Sequence, residues 1–174
     1  SANKITKENK SIDILVNNAG VIQTSLFQMT KIDEMKNLFD INFFNQLAFT
    51  QIIIKKMIRN KYSSIINISS NSALDSYEGR LAYSASKSAM ISASRTLSKE
   101  LGRFKLKVNC IAPGLTDTLL MNQSHKPEVI EEVIKNTSLN KIAQTEDIAD
   151  TILFLASSMS NHITGEVIRV DGGL

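Results

Sequence analysis

Cysteine occurs once in the 174 residues, at Cys110; tryptophan is absent, and proline stands only at Pro113 and Pro127. A single cysteine excludes an intrachain disulfide and any metal site built on several thiolates. Two prolines and seven glycines exclude a collagen-like chain and a Pro/Gly-rich disordered one. Long apolar runs are missing too: Ile52-Ile53-Ile54 is far shorter than the roughly 20 residues a membrane span needs. No cationic start followed by an apolar stretch marks a secretory signal, so the expected compartment is the cytoplasm. Charge of one sign is also scarce. The 20 Lys and Arg against 17 Asp and Glu leave a net +3, which is too small and scattered for a partner made of nucleic acid or a membrane surface. Lys55, Lys56, Arg59 and Lys61 do cluster, but at an expected helix C-terminus, which attracts positive charge.

What remains is an ordinary globular composition, 43% hydrophobic and 21% charged, in a length that predicts one domain over residues 1–174. Short β-rich runs alternate with long helical patterns. Strands are expected at Ile12–Val16, Ile65–Ser69, Lys107–Ile111 and Glu166–Val170, and their nearly continuous apolar cores suit strands covered on both faces. One helix is expected from a capping box at Thr30 and Asp33 to about Arg59. A second, rich in Ala and Ser, runs from Leu81 to Leu101 with Gly102 as its C-cap. A third starts near Pro127 and a fourth at Thr145. The order βαβαβααβ predicts an open parallel α/β sheet with right-handed crossovers.

Ligands of such sheets bind beyond the carboxyl ends of the strands. After the first strand comes Asn17-Asn18-Ala19-Gly20, where Gly20 lets a flat ligand lie against backbone. After the second comes Ser69-Ser70, then a loop, then Tyr83-Ser84-Ala85-Ser86-Lys87. Tyr83 and Lys87 are four apart on one helix face, and an ammonium about 5 Å from a phenol is expected to lower its pKa by about two units. That shift favours proton exchange with a carbonyl or alcohol oxygen. After the third strand, Pro113-Gly114 makes a sharp exit flanked by the hydroxyls of Thr116 and Thr118. His125 and His162 lack partners at metal-ligand spacing, and Cys110 reads as a small buried residue.

Taken in order and spacing, these residues resemble the short-chain dehydrogenase/reductase family from Ile12 to Leu174. The likeness rests on Asn17-Asn18-Ala19-Gly20, Asn42 in Asp40-Ile41-Asn42-Phe43, and Ser70 thirteen residues before Tyr83-x-x-x-Lys87. Pro113-Gly114, thirty residues after Tyr83, and the closing Ile163-Thr164-Gly165-Glu166 and Asp171-Gly172-Gly173 complete it. Among members, the chain looks most like bacterial 3-oxoacyl-(acyl carrier protein) reductases. The resemblance implies a Rossmann-like, doubly wound parallel sheet and hydride transfer between NADP or NAD, with NADP ahead, and a small-molecule or carrier-linked carbonyl substrate. It makes Tyr83 the proton donor, Lys87 its electrostatic partner and holder of the nicotinamide ribose, and Ser70 the anchor of the substrate oxygen. Asn42 would hold a water in a proton relay ending at Lys87. Asn18, Ala19 and Gly20 would border the adenosine ribose, with Asn17 bracing the central strands. Pro113, Gly114, Thr116 and Thr118 would contact the nicotinamide carboxamide, and Asn122–Lys126 with His125 would belong to a substrate lid. The family assembles as homodimers or homotetramers through the Leu81–Leu101 helix and the long helix before it.

One departure stands out. Family members open with a glycine-rich turn that seats the cofactor pyrophosphate at a helix N-terminus, whereas the first glycine here is Gly20. The expectation is a fold lacking the first βαβαβα half, with Ser1–Ser11 as the tail of the preceding helix and Ile12–Val16 as a bare apolar edge. The alternative reading is a truncated, non-catalytic family member that serves as an oligomerisation or scaffold protein.

Overall fold

The computed structural model describes residues 2–118, 121 and 126–174. Helix α1 (Ala2–Glu8) leads into strand β1 (Ile14–Asn17). Then come α2 (Ile32–Phe39), a π-helical turn (Asp40–Phe44) and α3 (Asn45–Met57), followed by β2 (Ser63–Ile68), α4 (Leu81–Leu101) and β3 (Leu106–Pro113). Helices α5 (Pro127–Asn136) and α6 (Thr145–Ala156) precede the last strand, β4 (Val167–Val170). The four strands form one sheet in the order β1-β2-β3-β4, every pair parallel. All carboxyl ends therefore open on one rim.

Alternation along the strands separates two apolar layers. Leu15, Ile65 and Val108 face α3 and α4 and pack with Ile53, Met57 and Leu101. Ile66, Ile68 and Ile111 face the other way, onto Ile148, Ile152 and Leu155 of α6. All six residues of β2 are buried, which agrees with its continuous apolar reading. Strand β1 departs from that reading: its burial alternates, and Ile14 and Val16 keep 49% and 36% of their surface exposed on the α6 side. It is an edge strand, with the bare apolar face expected of it.

Several boundaries move. Strands β2 and β3 begin before the expected residues, and β3 continues to Pro113, whose missing N–H is tolerated at a strand end. Thr30 does not cap the start of α2; it closes a 3₁₀ turn, Phe27–Met29. Its hydroxyl donates to the Leu26 carbonyl, and the N-cap of α2 is Lys31, with no side-chain cap. The expected long helix is broken by the π-helical turn and ends at Met57. Helix α4 holds its expected limits, but Gly102 keeps helical φ, and the left-handed residue that ends the following turn is Lys105 at φ 59°. Helix α6 begins at Thr145 through a capping box that the sequence reading missed: Asp147 accepts from the Gln144 N–H, and the Gln144 side chain accepts in return.

Candidate active site

The π-helical turn sets the first feature of the rim. One extra residue per turn disturbs the hydrogen-bond ladder, and such bulges recur at functional positions. Here the turn carries Asn42, fully buried, towards the exit of β1. Asn42 Oδ1 accepts from Val21 N at 2.8 Å, and its Nδ2 donates to Val21 O at 2.9 Å and to Ser86 Oγ at 3.2 Å. One turn on, Gln46 Nε2 donates to the carbonyls of Ala19, at 2.5 Å, and Asn42, at 3.0 Å. Ala19 and Val21, on either side of Gly20, are thus held by two buried amides. Gln46 was not singled out in the sequence; its position one turn after Asn42 was the available signal.

Lys87 rises from α4 to the same place. Its side chain is buried, and Nζ donates to the Ile68 carbonyl at the end of β2, at 2.9 Å. A Cβ on Gly20 would stand 3.3 Å from both Lys87 Nζ and Asn42 Oδ1, so the glycine, the amide and the amine share one cradle. Burial pushes the Lys87 amine down to about 8. Folded Lys87 therefore releases its proton near pH 8, whereas the unfolded side chain holds it up to its ordinary 10.5. The unfolded chain binds more protons in that window, so stability is expected to rise with pH, by about 1 kcal/mol over the first unit. From 9.0 upward Cys110 opposes this, because its thiol is pushed up to about 11 by burial and stays protonated in the fold. Urea midpoints across the lower part of the window check the sign: wild type gains, and Lys87→Met abolishes the gain. A flat wild-type response is the contrary result.

Tyr83 lies one turn before Lys87, with Lys87 Nζ 6.0 Å from its ring centroid. Here the expected electrostatics are corrected. Its phenol pKa is raised, not lowered: loss of water outweighs the neighbouring Ser70 hydroxyl and the positive charge of Arg80, both of which pull it down. The buried Lys87 amine points to a backbone carbonyl instead. Ser70 follows β2, where its Oγ accepts from Ser72 N at 3.1 Å and fixes the start of a short 3₁₀ turn, Asn71–Ala73. Arg80, the N-cap of α4, is a charged neighbour of Tyr83 that the sequence reading did not name.

The other rim segments are structurally tied. Gly114 N donates to Val170 O at 3.0 Å, and a Cβ there would stand 2.7 Å from Asp171 Cβ, so only glycine lets the two backbones approach. Thr116 Oγ1 donates to Gly114 O, and Thr118 Oγ1 accepts from Met121 N. Asn122–His125 lie outside the described residues. Beneath the rim, Asn17 braces the sheet as expected. Its Nδ2 donates to Asn67 Oδ1 at 2.7 Å and Thr50 Oγ1 at 2.9 Å; Asn67 Nδ2 reaches Ser94 Oγ at 2.7 Å, and Cys110 Sγ lies 3.0 Å from the same hydroxyl. Among the described residues no group of His, Cys, Asp or Glu could hold a metal, and no helix is long and apolar enough to cross a membrane.

A parallel sheet with Ser70, Tyr83, Lys87 and Asn42 gathered at its carboxyl rim has the architecture of the nucleotide-binding α/β class. The family model for enoyl-(acyl carrier protein) reductase matches residues 1–174, and the chain belongs to this family of short-chain dehydrogenases/reductases, which work with NAD(P)H. It is 37% identical over 171 residues to the 3-oxoacyl-[acyl-carrier-protein] reductase FabG of Chlamydia muridarum, covering 98% of this chain and 68% of that one. It is 35% identical, over the same shares, to a 3alpha-hydroxysteroid dehydrogenase of Mediterraneibacter gnavus. The crystal structure of a 3-oxoacyl-[acyl-carrier protein] reductase from Brucella melitensis superposes with a TM-score of 0.92 at 28% identity, covering 99% of this chain and 66% of that one.

Proposed function

We propose that the chain reduces the carbonyl of a 3-oxoacyl thioester, with Tyr83 as proton donor. The Ser70 hydroxyl beside a Tyr83 phenol that burial keeps protonated at neutral pH, with the buried Lys87 amine 6.0 Å from the Tyr83 ring centroid, is the observation that carries this reading. A bound nicotinamide dinucleotide supplies the hydride. Ser70 Oγ and Tyr83 Oη together hold the substrate oxygen, and Tyr83 Oη releases its proton to it as negative charge develops there. Lys87 Nζ and the backbone of Asn18, Ala19 and Gly20 would border the cofactor's ribose. Pro113, Gly114, Thr116 and Thr118 would border its nicotinamide carboxamide. Asn42 orders the cradle, and a water beside it would pass a proton on towards Lys87.

The residues present fit the nicotinamide-ribose end of such a cofactor. Gly20 has no side chain to stand between a ligand and the Lys87 amine and Asn42 amide, each 3.3 Å from where its Cβ would be. No residue of the 174 supplies the glycine-rich turn for the pyrophosphate. NADP is the cofactor of choice, in a cytoplasmic enzyme. Assembly as a dimer or tetramer uses the groove between α3 and α4, which is lined by Phe43, Leu47, Ile54 and Ala93. The substrate class is tested by comparing NADPH-dependent reduction of an acetoacetyl thioester, an aldose and a 3-oxosteroid. Preference for the thioester is expected, and a preference for either of the others overturns the substrate reading.

A further inference from the structure

The loop from Asn71 to Arg80 joins Ser70 to the helix that carries Tyr83, so its placement sets the substrate side of the site. Beyond the turn Asn71–Ala73 it has no regular structure of its own. Ser25 N donates to Gly79 O and Ser88 Oγ to Ala73 O, both at 2.9 Å, and a further hold comes from the far edge of the sheet. Ile168 and Val170 of β4 pack against the α6 layer, which leaves Arg169 between them on the α4 side. Arg169 Nη2 donates to Asp75 Oδ2 at 2.6 Å and to the Leu174 carbonyl at 3.1 Å, while Nε donates to Asp171 Oδ2 at 2.7 Å. Asp171 is itself fixed, with its side chain only 6% exposed and Oδ1 accepting from Gly173 N at 3.1 Å. It is also the residue against which Gly114 packs.

We infer that Arg169 is a positioning residue of the reductase site, locking the loop Asn71–Arg80, through Asp75, to the Pro113–Gly114 exit, through Asp171. An isolated exposed ion pair is worth little. This guanidinium differs because its planar fork meets two carboxylates and a carbonyl at once, one of the carboxylates nearly buried, a geometry that lysine cannot reproduce. Only the kinetic consequence of the lock rests on the proposed reductase activity; the lock itself does not.

The test uses the whole chain as wild type, Arg169→Ala, Asp75→Ala, the double variant and Arg169→Lys. Hydrogen exchange of residues 72–80 is expected to quicken about fivefold in each alanine variant, no further in the double variant, and by an intermediate factor in Arg169→Lys. The KM for the thioester is expected to rise by about the same factor, with kcat within about twofold of wild type. Unchanged exchange over 72–80 in both single variants, or effects that add in the double variant, overturns the lock. Asp75 is half exposed, so Asp75→Ala answers the question even if Arg169→Ala does not fold. A wild-type chain that turns over no carbonyl, yet shows Arg169-dependent exchange, overturns the reductase reading and leaves the lock standing.

Discussion

Replacing Tyr83 with Phe is expected to cut carbonyl reduction by about a thousandfold while leaving fold and assembly unchanged. The substitution removes one oxygen. That oxygen carries the proton the proposed reaction needs, and the neighbouring Ser70 hydroxyl remains to bind the substrate without acidity of its own. The ring stays half-buried on α4, so packing is kept. Steady-state kinetics with sedimentation of the same sample check both halves. If Tyr83→Phe retains more than about a tenth of wild-type turnover, another group moves the proton. If the wild type assembles through α3 and α4 but reduces nothing, the scaffold reading prevails.

Asn67→Ala is expected to cost about 3 kcal/mol of stability, a large share of the roughly 5–15 kcal/mol available to a domain. The register places Asn17, Asn67 and Cys110 side by side across β1, β2 and β3. Asn67 is the middle link: it accepts from Asn17 and donates to Ser94, at 2.7 Å each way, with 1% of its surface exposed. Truncation leaves a cavity and strands polar atoms away from water. Cys110→Ala, by contrast, removes only a weak sulfur contact and is expected to cost less than half as much. Urea denaturation of the two variants decides. Equal losses would mean that packing, and not the hydrogen-bonded chain, holds this layer.

The strand–helix alternation was legible in the sequence because apolar periodicity reports directly on burial. It gave helix α4 to the residue and placed every strand within a few residues. Ser70, Tyr83 and Lys87 were legible because one helix face and one strand exit fix their relation. Two features were not. A π-helical turn keeps nearly the same side-chain pattern as the α-helix around it, so nothing in Asp40–Phe44 announced it. The direction of the Tyr83 shift depends on how much water the fold removes and on where the Lys87 amine points. Both are tertiary facts that a spacing of four residues does not contain. The Asn17–Asn67–Ser94 chain likewise needs the sheet register, and the Arg169 lock joins residues 94 positions apart.

The most direct measurement follows NADPH consumption by the purified chain in the presence of an acetoacetyl thioester, as a function of NADPH concentration, for wild type and Tyr83→Phe. The wild-type rate is expected to rise with NADPH concentration. It is expected to require the thioester and to vanish in Tyr83→Phe. A folded wild-type chain that consumes no NADPH at any concentration, or a Tyr83→Phe variant that matches it, contradicts the assignment of this site.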